Sequence, residues 1–148
     1  MICRRFLAFA ACLVWLACWA QVNAFPEAQR IVEEVAANHP NLVRLTIHAV
    51  PSGGTVNQIV ACNIPEKLGK VSDPEDLEAI EKNKTTVLRE GNNLDVTVPI
   101  TDPEGQPVAI GVTLVGLDGS DDQAAVKDAQ AIASELQKAL EDARHPLW

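Results

Sequence analysis

Two kinds of hydrophobic pattern alternate along the chain after its first 24 residues. Apolar residues recur every three or four positions over 27–38 and again over 121–144, which is typical of helices that bury one face. Between these helices, apolar and polar residues alternate one by one, which predicts strands. The predicted strands cover residues 41–50, 55–64, 86–89, 93–101 and 106–117, with a short helix over 73–82. This order predicts an α+β fold, an antiparallel sheet with an N-terminal helix and a long C-terminal helix.

Turn sequences join the predicted strands into hairpins. Residues 51–54 (PSGG) separate the first two strands, and residues 102–105 (DPEG) carry Pro and Gly at the positions that a type I turn favours. The strand after the second turn is apolar on both faces, which indicates a central strand covered on both sides. One of its faces carries the small residues Ala109, Gly111 and Thr113, which leave room for a helix, a loop or a ligand.

The first 24 residues have the pattern of a secretory signal peptide. Arg4 and Arg5 precede an uncharged apolar stretch over 6–20, and small residues close the segment. The apolar stretch is short for a membrane span, which needs about 20 residues. We therefore predict a signal peptide over 1–24 and one domain over 25–148. The domain is expected to be secreted or periplasmic, with no membrane attachment after cleavage.

Two alternatives to cleavage stay open, and each changes the cysteine count. Extended to Ala24, the apolar stretch would serve as an anchor; alternatively, Cys18 would be acylated, because residues 16–18 (LAC) resemble a lipidation box. With cleavage, Cys62 is the only cysteine left, so the mature protein would form no internal disulfide. Since Cys62 lies in an apolar strand, we predict a buried and unreactive thiol.

The predicted mature domain is acidic. All 20 Asp and Glu residues follow residue 24, together with 10 of the 12 Lys and Arg residues, so its net charge is −10. Nucleic acids and anionic lipids bind to clustered basic side chains, which this composition does not supply. We therefore exclude nucleic acid as a partner.

Two segments give the chain a resemblance to the extracytoplasmic Cache sensor domains, which have a PAS-like sheet. Residues 56–70 (VNQIVACNIPEKLGK) look like the second strand of that family and the L-G-K-like turn after it. Residues 96–116 (VTVPITDPEGQPVAIGVTLVG) look like its terminal hairpin, in which a P-I-x-D-x-x-G turn leads into a G-V strand. Together they define a similarity over residues 43–117, about half of the chain.

The resemblance implies that a small molecule binds between the sheet and the segment that joins the second and third strands, residues 65–86. The chain departs from the family in two respects. It has no Tyr, so the aromatic and arginine signature of the amino-acid-binding members is missing, and only Asp102 matches the acidic position of the hairpin turn. It also has no second membrane segment and no kinase, cyclase or methyl-accepting region, so we expect a domain that acts free or through a partner.

Polar residues on the non-core sides of the predicted strands are the candidate ligand contacts. Arg44, Thr46 and His48 alternate along one face of the first strand, where Arg would pair with a ligand carboxylate and His would add a pH-dependent donor. The alternative is that this face is the solvated outer side of an edge strand. The other candidate contacts are Asp95, Thr97, Asp102 and Thr113. For Asp102, the alternative is a solvent-exposed turn residue.

No arrangement of residues predicts catalysis, a cofactor or a metal site. The serines lie in turns or in the last helix, none of them in a nucleophile elbow, and no glycine-rich phosphate loop is present. His39, His48 and His145 do not form a three-ligand metal cluster. Residues 118–122 (DGSDD) have the alternate oxygen-bearing side chains of a calcium loop but lack its Gly and Glu, so they predict a helix start.

Two functions fit these observations. The first is an exported domain that binds a small molecule, anionic if Arg44 contacts it, and that is not an enzyme. The second is an exported interaction module with a filled core, whose C-terminal helix or edge strand contacts a protein partner or a second copy. An enclosed cavity with polar groups on the face of Ala109, Gly111 and Thr113 would favour the first function.

Overall fold

A computed structural model describes residues 24–116, 122–143 and 146–148 of the chain. Its elements follow the predicted order, and their bounds differ from the predicted ones by a few residues. They are α1 (Pro26–Ala37), β1 (Leu42–Ala49), β2 (Gln58–Cys62), a 3-10 helix (Pro65–Lys67), α2 (Pro74–Lys82), β3 (Thr86–Glu90), β4 (Asn93–Thr101), β5 (Pro107–Val115) and α3 (Asp122–Glu141). The α+β prediction is therefore confirmed.

The five strands form one antiparallel sheet in the order β2-β1-β5-β4-β3. β5 pairs with β1 on one side and β4 on the other, so the prediction of a central strand is confirmed. β1 lies between β2 and β5. The interpretation of Arg44, Thr46 and His48 as the outer face of an edge strand is therefore wrong, because β1 is an inner strand.

Helices α1 and α3 pack together on one face of the sheet, where the hydrophobic core lies. Val32 of α1, Leu136 of α3 and Ile110 of β5 are fully buried there. Complete burial of a side chain of this size contributes about 1.5–3 kcal/mol to stability. Because each helix repeats its apolar residues every three or four positions, each presents one continuous stripe to the strands.

The alternation predicted for β1 breaks at its first residues. Leu45 and Ile47 point into the core as expected, but it is Leu42, and not Val43, that packs against the core at the start of the strand. The pairing with β5 shifts between Leu42 and Arg44. Such a bulge adds one residue to a strand and changes which side chain faces inward.

Helix α2 lies on the other face of the sheet, against β4 and β5. Asp73 and Pro74 begin it, as predicted, and the Asp73 amide donates to Asp76 Oδ2 at 3.1 Å. Asn83 ends it in the left-handed region, with φ of 48°. Helix α2, which covers this face, therefore begins and ends where the sequence predicts. We call α2 and the segment that leads into it the cover of this face.

The chain that leads into α2 runs along the outer edge of β2. The Ile59 amide donates to the Lys70 carbonyl, and the Gly69 amide donates to the Ile59 carbonyl, each at 2.9 Å. Residues 55–57 are not part of a strand, although the Ser72 amide donates to the Asn57 carbonyl at 3.1 Å. β2 is thus shorter than predicted, and the segment beside it holds the cover against the sheet.

Several predictions concern residues outside the described part. They are the signal segment over 1–23, most of the calcium-like stretch 118–122, and His145. Among the described helices, none combines the length and the apolar composition that a bilayer crossing needs. Cys62 is fully buried, as predicted, and burial raises the pKa of its thiol.

Candidate functional site

The face of the sheet beneath α2 is lined with buried polar side chains. Thr46 is 1% exposed, His48 5%, Thr97 3% and Thr113 1%. Arg44 and Asp95 lie on the same face and are partly buried. Six of the seven candidate residues therefore share one face, because residues two apart along a strand point to the same side.

His48 links the sheet to the segment that covers it. Its Nδ1 lies 2.9 Å from Ser72 Oγ, and its Nε2 lies 2.8 Å from Thr46 Oγ1. Ser72 Oγ donates its proton to Asn57 Oδ1 at 2.6 Å, so it accepts from His48 Nδ1. His48 therefore carries a proton on Nδ1, whereas Thr46 Oγ1, the neighbour of Nε2, donates to the Gly111 carbonyl at 3.3 Å.

Asp76 fastens α2 to the same network. Its Oδ1 accepts from Thr97 Oγ1 at 2.8 Å, and its Oδ2 lies 3.3 Å from His48 Nδ1 and accepts from the Asp73 amide. A carboxylate in the first turn of a helix is favoured by the helix dipole. Asp76 therefore ties the cover to β4 and to His48 while remaining fully hydrogen-bonded.

Burial is the main influence on His48, and it lowers the pKa of the ring below its ordinary value of 6.5. The charges of Asp76, Asp95 and Asp73 raise this pKa in part, whereas Arg44 lowers it. The net direction is downward, so His48 is neutral at neutral pH.

Arg44 has protein partners of its own. Its Nη2 donates to Asp95 Oδ2 at 2.6 Å and lies 3.5 Å from Glu90 Oε2. Thr113 Oγ1 donates to the other oxygen of Asp95 at 2.9 Å. The guanidinium is therefore neutralised by two carboxylates, which weakens the expectation that Arg44 captures a ligand carboxylate.

Gly111 lies against Thr46 and His48 and leaves room for their side chains. A Cβ at this position would overlap Thr46 Oγ1 and would lie 3.2 Å from His48 Nε2. Thr46 Oγ1 is also 3.3 Å from the Gly111 carbonyl. The small residue noticed in the sequence is therefore required by the polar network of the floor.

A cleft of about 120 Å³ opens between this floor and its cover. Arg44, Thr46 and Gly111 belong to its floor, whereas Lys70 and Glu75 belong to the covering segment. A larger cavity of about 290 Å³ lies on the helix side, but Leu42, Leu114, Ala125 and Ile132 in its walls are core residues. We take the smaller cleft as the candidate site, because polar groups converge there.

Asp102 does not belong to this cleft. It is buried in the turn between β4 and β5, where its Oδ1 accepts from the Gln106 amide at 2.6 Å. Its backbone carbonyl accepts from the Gly105 amide at 2.9 Å. Asp102 therefore shapes the hairpin, and it is neither beside the other candidates nor solvent-exposed.

Sequence reasoning missed Ser72 and Asp76, which complete the network from the cover. The one sequence signal for Asp76 is its spacing from Asp73, which is that of a capping box. Such a spacing places the Asp76 carboxylate in the first turn of α2. Within the described residues, no cluster of three or more His, Cys, Asp or Glu side chains is suited to hold a metal ion.

Comparisons with known proteins define the class of fold. No protein-family model matches the sequence, and no curated protein is significantly similar to it. The GAF domain region of a Geobacter sulfurreducens PCA protein aligns with a TM-score of 0.57 and 14% identity over 80% of this chain and 95% of that one. A Burkholderia vietnamiensis protein classed as a GAF sensor aligns with a TM-score of 0.52 and 13% identity over 78% and 73%.

These similarities show the fold alone, and that fold is GAF-like. A type II free methionine-R-sulfoxide reductase from Thermoplasma acidophilum aligns more loosely, with a TM-score of 0.46 and 14% identity over 78% of this chain and 94% of that one. At that distance it says nothing about catalysis here.

The resemblance to Cache domains is therefore wrong, since the structural neighbours are GAF domains. The quoted motifs lie in β2 with its following turn and in the hairpin of β4 and β5. In that hairpin, Asp102 caps the turn and Gly105 adopts a φ of +83°. Residues of these types are needed by hairpin turns of many folds, so they do not distinguish one family from another.

Proposed function

We propose that the chain is a sensor-like domain that binds a small polar molecule in the cleft between the sheet and α2. The observation that carries this proposal is the buried polar network that surrounds an open cleft. Burying hydroxyl, imidazole and carboxylate groups is less favourable than burying apolar groups of similar volume, even when all are hydrogen-bonded. A sheet face with only a structural role would be filled as the α1 and α3 face is filled.

The GAF-like fold supports the same proposal. Two of the alignments described above are to a GAF domain region and to a GAF sensor, and they cover most of this chain. Fold alone does not determine function, so the site must carry the chemistry. Here the cleft is lined by hydroxyl, imidazole and charged groups of the sheet and by charged groups of the covering segment.

A fragment screen by two-dimensional amide NMR tests the proposal. Binding in the cleft should move the amide signals of Thr46, Ser72 and Asp95, which belong to the floor and to the cover. Signals of α1, on the opposite face, should stay in place and serve as the internal control. If every fragment that binds moves only α1 or α3, the ligand site is not in this cleft.

A second candidate function, binding of a protein partner, is favoured by the unequal edges of the sheet. The segment 69–72 covers the outer edge of β2, whereas β3 has no strand beyond it in the described residues. Val87 and Leu88 on β3 are 48% and 42% exposed. Open edges can accept a strand from a partner or a second copy. A V87K/L88K variant should then lose an association that light scattering detects in the wild type.

We further propose that the domain is exported after removal of residues 1–24, which rests on the N-terminal pattern alone. Expression of the full sequence in a secreting host should release a protein that begins at Phe25. The N-terminal sequence and intact mass of the released protein measure this. A protein that is retained with Met1 present contradicts cleavage, and a lipid adduct on Cys18 supports acylation in its place.

A further inference from the structure

We infer that the ligand of the cleft is a small zwitterion, a molecule whose ammonium and carboxylate groups are a few atoms apart. This inference rests on the proposed function and specifies its ligand class. It derives from the arrangement of charges around the cleft, from the residues to which each charge is already bound, and from the size of the opening.

Charged side chains of both signs surround the opening of the cleft, which we call its rim: Lys67, Lys70, Asp73 and Glu75. The positive charges of the rim lie on the side of β2. Lys67 ends the 3-10 helix, and Lys70 lies in the segment whose backbone pairs with Ile59 of β2. Both lysines line the cleft. Neither forms an ion pair with another described residue, so both ammonium groups are available to a ligand carboxylate.

The negative charges at the rim come from the side of α2. Glu75 lies in the first turn of α2, lines the cleft and is partly buried. Within the described part of the chain, its carboxylate has no cationic partner. Asp73, at the start of the same helix, also lines the cleft. This side therefore offers a carboxylate to a ligand ammonium.

The other charged groups of the cleft already have partners within the protein. Arg44 is held by Asp95 and Glu90, and Asp76 by Thr97 and the Asp73 amide. A simple anion would therefore meet the lysines but also the carboxylate of Glu75. A simple cation would meet the reverse arrangement. A zwitterion places each of its charges opposite a rim group of the other sign, which is how charge patterns select a ligand.

The size of the cleft limits the ligand to a few heavy atoms. Its volume is about 120 Å³. Pockets for drug-sized ligands hold about 300–1,000 Å³. A small amino acid is of the right size for such a cleft.

Three probes of nearly equal size separate the charge classes: L-alanine, propionate and ethylamine. Propionate lacks the ammonium of alanine, and ethylamine lacks its carboxylate. We expect L-alanine to move the amide signals of Thr46, Ser72 and Asp95, with a Kd at least tenfold below that of either other probe. Titrations of the full chain by amide NMR measure all three constants under the same conditions.

Paired variants assign each charge of the zwitterion. Glu75→Gln should weaken alanine binding about threefold to tenfold, because it removes the ammonium contact, and it should not weaken the binding of propionate, which the Glu75 carboxylate repels. Lys67→Gln with Lys70→Gln should weaken alanine binding by a similar factor, and it should not weaken the binding of ethylamine, which the two lysines repel. The matched controls are Glu81→Gln and Lys84→Gln, exposed changes outside the cleft that should not alter binding.

The possible failures are distinguishable. If propionate or ethylamine binds the cleft as tightly as alanine, the zwitterion inference is overturned while the ligand-binding function stands. If none of the three probes moves the cleft signals but other fragments do, the same conclusion follows. If no compound of any class moves them, both the inference and the proposed function are overturned.

Discussion

The two faces of β5 are built by different physical means. Towards α1 and α3, Val108, Ile110, Val112 and Leu114 pack into the hydrophobic core. Towards α2, the strand carries Ala109, Gly111 and Thr113, and the contacts around them are hydrogen bonds and ion pairs. Both faces are buried, yet one depends on shape and volume and the other on the direction of individual bonds.

This difference predicts how each face responds to change. Apolar contacts have no direction, so a core substitution reduces stability in proportion to the volume removed. A hydrogen bond needs its specific partner. When a buried polar group loses this partner, its desolvation is no longer compensated and the folded state is destabilised. Substitutions on the helix face should therefore mainly unfold the domain. Those on the polar face should cost less stability and should alter the cleft.

The largest effect is expected from Ile110→Ala on the helix face. It removes a fully buried side chain next to α3 and leaves a cavity, so we expect a loss of about 2–5 kcal/mol in the free energy of unfolding. Urea unfolding followed by circular dichroism measures it. Val115→Ala, at an exposed position of the same strand, is the control and should change stability by about 0.5 kcal/mol or less. Equal losses in both variants would contradict the assignment of the core.

Gly111→Ala tests the polar face of the same strand. The added methyl group would overlap Thr46 Oγ1, so we expect a loss of about 1–3 kcal/mol. Thr46→Ala removes the atom that the methyl group would meet, so Gly111→Ala should cost about 1 kcal/mol less in that background. Unfolding of both single variants and the double variant measures this coupling. Strict additivity would show that Gly111 is not constrained by Thr46.

The sequence was sufficient to predict the two faces of β5, because strand alternation and residue size are local properties. It also placed Thr46 and His48 on one face of β1 for that reason. It could not show that Asp95 holds Arg44, since 51 positions separate them and only the strand order brings them together. The contact of Asp76 with His48 depends on how α2 docks on the sheet, which no local pattern specifies.

Loss of one hydrogen bond between α2 and the sheet should have a smaller effect. Thr97→Val keeps the shape of the side chain but removes the donor to Asp76 Oδ1, so we expect a loss of about 1–2 kcal/mol. Thr101→Val, exposed at the end of β4, is the matched control and should be nearly neutral. Thermal unfolding separates the two variants. If Thr97→Val is as stable as the control, Asp76 does not depend on the sheet for its partner.

The smallest expected effect is a dependence of stability on pH that arises from His48. Burial lowers the pKa of His48 in the folded state, so just below pH 6.5 the unfolded chain holds more protons on this residue than the folded domain does. Stability therefore rises with pH across this window and falls as the pH drops below 6.5. The helix face also carries a histidine, His39, whose Nε2 lies 2.9 Å from Glu135 Oε2, so a variant of His48 is needed to assign the slope to the polar face.

Urea unfolding at several pH values measures this slope. The range from about pH 5.5 to pH 7.5 is suitable because it brackets the ordinary pKa of a histidine. His48→Gln should reduce the slope, because the titrating group is gone. Asp76→Asn supplies the opposite control: the charge of Asp76 raises the pKa of His48, so its removal should lower that pKa further, which the imidazole signals report.

If the His48 pKa lies above 6.5 in the folded protein, imidazolium and Asp76 form a buried ion pair. The polar face would then be held by charge and not by the neutral hydrogen bonds assigned to it.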